Sequence, residues 1–447
     1  MGNTHAAAIA GALAALVVVA TASGHAQSHS GQTWPQWRGP LATGEAPGAT
    51  PPIAWNETTN IRWKVAIPGH GHATPLVWGD RLFVATAVPM GESGVSEGLF
   101  RRLTRRVVGT EGASQTLNYV VMALDRKDGR TIWTQDALSA VPHEGRHQTG
   151  SWASPSPVTD GDVLCASFGS QGVYCYDLDG ELLWDKDLGN MEIRMGFGEG
   201  TSPVLHGDAI VVNWDHQGQS FITALDKWTG HELWRVDRDE ITSWATPLIV
   251  EHGGRTQVVT SATNQVRSYD FDTGELLWAG EGVTLNAIPS PVASDGLVYL
   301  TSGYRGNQLY AVDLDRAEGD ITGSEAVVWA LDEDTPYVPS PLLHEGILYL
   351  TKSNNGILSA FDALTGTRHY GPERLPGIRS VYASPVSAAG RIYITSRDGT
   401  TVVLAAGPRF EVLSANMLDD EFDSSPAMVD GEIFLRGYQH LYCIAAD

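Results

Sequence analysis

Short apolar runs, separated by Gly-containing turns, recur along this chain, and eight of them open with a proline. The prolines are Pro75, Pro157, Pro203, Pro247, Pro291, Pro341, Pro385 and Pro426, spaced by 82, 46, 44, 44, 50, 44 and 41 residues. Runs this short and this often interrupted predict strands, not helices. A second pattern follows each Pro-marked pair of runs and is cleanest over Ala224-Leu225-Asp226-Lys227-Trp228-Thr229-Gly230-His231-Glu232-Leu233-Trp234. A strand ends in Ala-x-Asp, Thr-Gly makes the turn, and a second strand reaches a large aromatic. The Asp carboxylate accepts turn amides, and Gly takes a positive φ. The small residue lets a neighbouring sheet approach, and Trp brings roughly 150–250 Å² to bury against it.

The hairpin recurs with graded fidelity. It reads Ala123, Asp125, Gly129, Trp133; then Cys175, Asp177, Gly180, Trp184; then Ser268, Asp270, Gly274, Trp278. A longer turn separates Ala311 and Asp313 from Trp329, and Ala360, Asp362 and Gly366 lead to Tyr370. The seventh unit has Gly407-Pro408 in place of the turn and no closing aromatic. Four short strands repeating every 40–50 residues or so predict a β-propeller. The double-length first interval holds only one hairpin, so its excess, residues 88–117, reads as an insertion and the blade count as eight. The last blade lacks an outer strand, whereas the strand carrying Trp63 lacks the strands that should precede it. Pairing the two closes the ring and covers both edges. The expected domain is therefore a single all-β, eight-bladed propeller over residues 60–447.

The amino-terminal residues change this picture little. Ala6–Ala22 is a run of small and apolar residues ending near Gly24-His25-Ala26, so residues 1–26 read as a signal peptide, although no Lys or Arg precedes the run. About 17 residues rich in Ala are short for a membrane span. The mature chain is then expected outside the cytoplasm with no stable span. Residues 27–59 form an extended lead-in whose tryptophans, Trp34 and Trp37, pack onto the body. The charge, 29 Lys and Arg against 52 Asp and Glu, is −23, which disfavours nucleic-acid partners. The 49 Gly, 23 Pro and 14 Trp suit many tight turns between Trp-pinned strands.

The Ala-x-Asp-x-x-Thr-Gly-x-x-x-Trp unit resembles the docking motif of pyrroloquinoline-quinone (PQQ) repeats. With Trp34–Pro40, Ser154–Gly161 and the closing His440-Leu441-Tyr442-Cys443, the chain is similar to the bacterial exported PQQ-like β-propeller repeat family, often labelled BamB-like. That resemblance implies a non-enzymatic periplasmic or secreted scaffold with a protein or peptide partner in the envelope, in outer-membrane or envelope protein assembly. It assigns structural docking to Trp63, Trp133, Trp184, Trp234, Trp278, Trp329 and Tyr370. The alternative is a PQQ-dependent or carbohydrate-acting enzyme using the channel mouth. Quinoprotein enzymes of this fold carry adjacent bridged cysteines over the quinone and Glu, Asn and Asp ligands to calcium. Here Cys165, Cys175 and Cys443 are not neighbours, so no cofactor is expected, with PQQ and calcium kept as the alternative.

Several other residues carry candidate chemistry. In a propeller the segment before each innermost strand lines one mouth of the channel. Those positions hold His72, Trp152, Glu199, Trp244, Asn286, Tyr337, Tyr382 and Asp423. Rings mixed with carboxylates and amides suit a planar ligand, a sugar or an extended peptide, or simply fill the channel. His143-Glu144-Gly145-Arg146-His147 matches the zinc-protease pattern by letter, but Pro142 and Gly145 oppose the helix it needs. Arg101, Arg102, Arg105 and Arg106 sit in the insertion, on a short amphipathic helix that either packs its apolar face on the rim or serves as a partner-docking element or lid over the channel. Cys165 and Cys175 face each other across a short turn, so a disulfide and two buried thiols both stand open.

Overall fold

Ala224 lies opposite Trp234 across an antiparallel pair, Ser220–Asp226 with Glu232–Arg238, and the register shifts just after Ala224. That bulge turns the indole out of its own sheet toward the next one. Its Nε1 donates to the Phe271 carbonyl at 2.8 Å. A Cβ on Gly274 would lie 2.7 Å from the same ring, and Gly274 has φ +74°. The Thr-Gly turn thus needs glycine twice: for its backbone and for the indole lying on it. Asp226 closes the turn before it, accepting from the Trp228 and Thr229 amides and the Thr229 hydroxyl. Those bonds, the hydroxyl's first, hold its carboxyl below the ordinary range.

The computed structural model describes Gly2 and residues 33–91 and 110–446. In it this contact is repeated around a ring of eight sheets. Trp63, Trp133, Trp184 and Trp329 donate to the carbonyls of Arg126, Leu178, Lys227 and Ala363, at 2.8–3.0 Å. In every case the acceptor is the residue after the turn Asp of the following blade. Trp278 departs from the rule and donates to Gln257 Oε1 in its own sheet at 3.2 Å. The long turn that follows in blade five lays Gly319–Asp320 parallel against Leu276–Glu281 and opposite Trp278. The extra strand occupies the space where the regular contact would form. Tyr370 is docked without a partner for its hydroxyl.

The innermost strands are short, such as Leu76–Trp78, Val204–His206 and Leu342–His344, and each begins at the residue after a marking proline. Closure falls where the pairing of the termini requires. Ile61–Ala66 pairs with His440–Ala445, placing Trp63 opposite Cys443. Cys165 and Cys175 are register partners joined by a disulfide, and Cys443 is buried and free. The strands Arg81–Pro89 and Leu117–Asp125 pair over their whole lengths, so the insertion between them is 90–116. Arg101, Arg102, Arg105 and Arg106 and the expected signal segment lie outside the described residues. Among the described residues no helix is long and apolar enough to cross a membrane.

The lead-in is more than a decorated tail. Thr33–Trp34 adds a fifth strand inside blade one, against Leu76–Trp78. The chain then crosses the channel axis. Pro35 O accepts from the Thr159 amide of blade two, and Trp37 Nε1 reaches Ser290 Oγ beside blade five at 3.0 Å. Arg38, buried, donates to the carbonyls of Pro341 and Pro385, both at 2.7 Å. Further on, Trp55 stacks on Tyr393 at 6.4 Å. Ser414 stands at blade seven's docking position, opposite Val403, and too small to fill it. Ser414 Oγ holds the Ile53 carbonyl, and Asn416 Oδ1 takes the Trp55 amide at 3.0 Å. Trp55 therefore supplies, from far along the chain, the aromatic that the seventh hairpin lacks.

Candidate functional site

Every marking proline is preceded by a hydroxyl residue: Thr74, Ser156, Ser202, Thr246, Ser290, Ser340, Ser384 and Ser425. Proline offers no amide there, so the preceding residue makes the cross-blade bond. The amide of Thr74 donates to Ser156 Oγ, Ser156 to Ser202, Ser202 to Thr246, Thr246 to Ser290, Ser290 to Ser340, Ser340 to Ser384 and Ser384 to Ser425. The bonds measure 2.8–3.2 Å. The circle opens at the seam between the last blade and the first, where Thr74 Oγ1 has no hydrogen-bond partner among the described residues. There Ser424 Oγ binds the Ala73 carbonyl instead. This ring was legible as a Ser/Thr-Pro repeat, and attention to the prolines alone passes over it.

Above the ring lies a cavity of about 420 Å³. Six of the eight residues expected at the channel mouth line it: His72, Glu199, Trp244, Tyr337, Tyr382 and Asp423. Two do not. Trp152 lines a small neighbouring pocket, where the Arg146 guanidinium lies 4.7 Å over its ring and its Nε1 donates to the Glu144 carbonyl. Its loop turns outward to meet the insertion's return, in which Thr110–Glu111 pairs with Arg146–His147. Asn286 is buried behind the wall, in a left-handed backbone conformation, and its Nδ2 donates to Tyr337 Oη at 3.2 Å. Trp37, His147, Phe197 and Tyr304 complete the aromatic lining. Trp37 comes from the strap, while the other three stand off the position just before the prolines, so the periodicity did not mark them.

The carboxylates of the cup are already engaged. Asp423 takes Arg397 Nε at 2.5 Å and NH2 at 3.0 Å, and the Tyr438 hydroxyl at 2.7 Å. Arg397 in turn lies 4.5 Å over the Tyr382 ring. Glu199 accepts from the Ser170 amide at 2.7 Å and from the Ser170 hydroxyl. Burial outweighs those bonds and, with the nearby charge of Glu144, pushes Glu199 up to about 7. Burial likewise lowers His72 to about 4, keeping the imidazole neutral. The His-Glu-x-x-His loop forms no helix, and it borders the cup. His147 Nδ1 meets Thr149 Oγ1 at 2.7 Å and also takes the Thr149 amide, a turn-closing contact. Thr149 Oγ1 reaches Tyr382 Oη at 3.5 Å, which narrows the mouth. Among the described residues no group of three or more His, Cys, Asp or Glu is placed to hold a metal ion.

A family model described as outer membrane protein assembly factor BamB matches residues 117–369, more than half of the chain. The chain belongs to this family. Its fold is similar to that of BamB from Moraxella catarrhalis, with TM-score 0.56 and 14% identity over 85% of this chain and 98% of that one. It is also similar to the quinohemoprotein alcohol dehydrogenase of Comamonas testosteroni, with TM-score 0.59 and 11% identity over 93% and 81%. A third neighbour is quinohemoprotein alcohol dehydrogenase ADHIIG from Pseudomonas putida HK5, with TM-score 0.53 and 12% identity over 92% and 80%. At these identities the likeness extends to the fold. No curated protein matches the sequence.

Proposed function

We propose that this BamB-family propeller is a non-enzymatic binding scaffold of the cell envelope, exported by its amino-terminal segment, which engages protein or peptide partners. The observation that carries the reading is on the outermost strands. Leu182 and Leu183 on blade two, Leu233 on blade three and Leu413 and Met417 on blade seven stand 39–54% exposed. Among the described residues, the strands that bear them have no paired strand on their outer edge. A free edge with exposed apolar residues accepts an extended segment as an added strand, backbone to backbone. The net charge of −23 keeps such a surface soluble. Partners in outer-membrane or envelope protein assembly are the natural source of such segments for a member of this family.

Of the alternative, a PQQ-dependent or carbohydrate-acting enzyme, the quinone reading finds less support in the cup. The carboxylates that would ligate calcium are Asp423 and Glu199, and both are bound within the protein. The residues present do not fit a calcium-bound quinone, and no step is assigned to one. The test is direct. A fluorescent ten-residue peptide alternating apolar and polar residues should bind the purified protein, with polarisation reporting it. Leu182→Lys with Leu183→Lys should weaken binding at least fivefold. A stable chromophore and dye-linked alcohol oxidation after incubation with PQQ and calcium would overturn the scaffold reading.

A further inference from the structure

The cup has properties that a peptide-binding rim does not require. Its walls are aromatic: Tyr304 and Tyr337 stack at 4.7 Å and 23°, and Trp244 and Phe197 line the same cavity. Its base is polar, lined by Ser156, Ser202 and Ser340 of the hydroxyl ring. Each of these oxygens already accepts a backbone amide. The hydroxyl hydrogens remain free to donate upward. His72 Nε2 is buried in the same wall with no hydrogen-bond partner among the described residues, a polar atom left unmet. The Asp423 charge is neutralised by Arg397, so the wall does not demand a cationic ligand. Beneath, the strap runs from blade two across to blades six and seven, with Trp37 as a floor. The cup is blind.

We infer that this cup is a binding site for a pyranose ring, taken end-on from a free oligosaccharide or from the terminus of a glycan chain. The apolar C–H face of the ring lies against the tyrosine and tryptophan faces, whose π-clouds are negative. The ring's hydroxyls meet His72 Nε2 and the serine hydroxyls, the latter as donors. A site with aromatic walls, an Asp423 charge already paired and unmet polar atoms suits a polyol better than a flat tricyclic acid. About 420 Å³ lies within the usual range for small-ligand sites. The floor rules out threading, so an internal residue of a polymer does not reach the base.

The test uses the full mature chain. Titration calorimetry and tryptophan fluorescence are followed with cellobiose, maltose and N,N′-diacetylchitobiose. Co-sedimentation with insoluble cellulose and chitin forms the second arm. Binding of at least one disaccharide with a Kd of about 10 μM to 1 mM is expected. Sedimentation at similar affinity assigns the source to chain ends, and binding of the disaccharides alone assigns it to free sugars. Tyr337→Ala and Trp244→Ala should each weaken binding at least tenfold, with Tyr337→Phe retaining most of it. Trp228→Ala, on an exposed rim turn, should bind as the parent does. No heat and no fluorescence change up to about 10 mM sugar, together with no sedimentation, overturns the proposal. So does sugar binding that survives both alanine variants. The Leu182 and Leu183 variants leave the cup intact, so failure of either site is distinguishable from failure of the other.

Discussion

The rim and the hub of this propeller are built from the same eight repeats by opposite rules. At the rim one solution recurs: a small residue, a turn Asp, a Gly and an indole, with the indole NH on the carbonyl after the next blade's Asp. At the hub the equivalent positions carry His72, Glu199, Trp244, Tyr337 and Asp423, with scarcely a residue in common. Packing between blades poses the same problem at each junction, so identical residues answer it. A channel mouth has no such repetition to satisfy, and its residues are free to differ. The difference separates what holds the ring together from what the ring presents.

The contrast is broken most strongly at the rim. Trp234→Ala removes a large indole, its bond to Phe271 and the lid over Gly274, and is expected to destabilise by about 3–5 kcal/mol in urea unfolding. Cup binding, extrapolated to conditions where the variant is folded, should be unchanged. Trp55→Ala tests whether the strap's indole does at blade seven what the hairpin residues do elsewhere. It is nearly fully buried against Tyr393, but its Nε1 makes no hydrogen bond. A loss of about 3 kcal/mol is expected, toward the lower end of the tryptophan range. A loss under about 1 kcal/mol would mean blade seven needs no docking aromatic.

These two substitutions also mark how far the sequence could be read. The rim was legible because each docking residue sits at fixed spacing from its turn. Closure at Trp63 and Cys443 followed from one missing strand at each end. Trp55 was not legible, since the Ser414 gap that it fills lies more than 350 residues away. Trp278's change of partner was not legible either, because it depends on where the long turn of blade five comes to rest. At the hub, position before the prolines gathered six of eight mouth residues, and loop direction took Trp152 and Asn286 elsewhere. The floor was invisible, because nothing in Trp34–Pro40 says that it crosses the axis.

A smaller effect sharpens the hub. Glu199 has its folded pKa raised to about 7 by burial, against an unfolded value near 4.3. The folded state therefore holds a proton that the unfolded state has lost between these values. Its contribution is complete below the unfolded pKa and declines as pH rises toward 7. From pH 5 to pH 8 the decline amounts to about 2–3 kcal/mol. Glu199→Gln should remove that decline, so that the variant gains on the parent as pH goes from 5 to 8. Parallel stability profiles for the two proteins would contradict a buried carboxyl.

The smallest effect lies within the hydroxyl ring, where two members differ in one bond. Ser340 Oγ accepts the Ser290 amide at 2.9 Å, and alanine there leaves a buried amide unmet. The cost should be about 1–2 kcal/mol. Thr74 Oγ1 lies in the same circle, fully buried, with no hydrogen-bond partner among the described residues. Thr74→Val keeps the shape and removes an oxygen that bonds nothing, so it should change stability by less than about 0.5 kcal/mol, or raise it. If both substitutions cost the same, the ring is held by packing around the prolines and its hydrogen bonds are incidental. If they differ as expected, the seam between blades eight and one is the ring's weak link. Its closure then rests on the pairing of Ile61–Ala66 with the last strand.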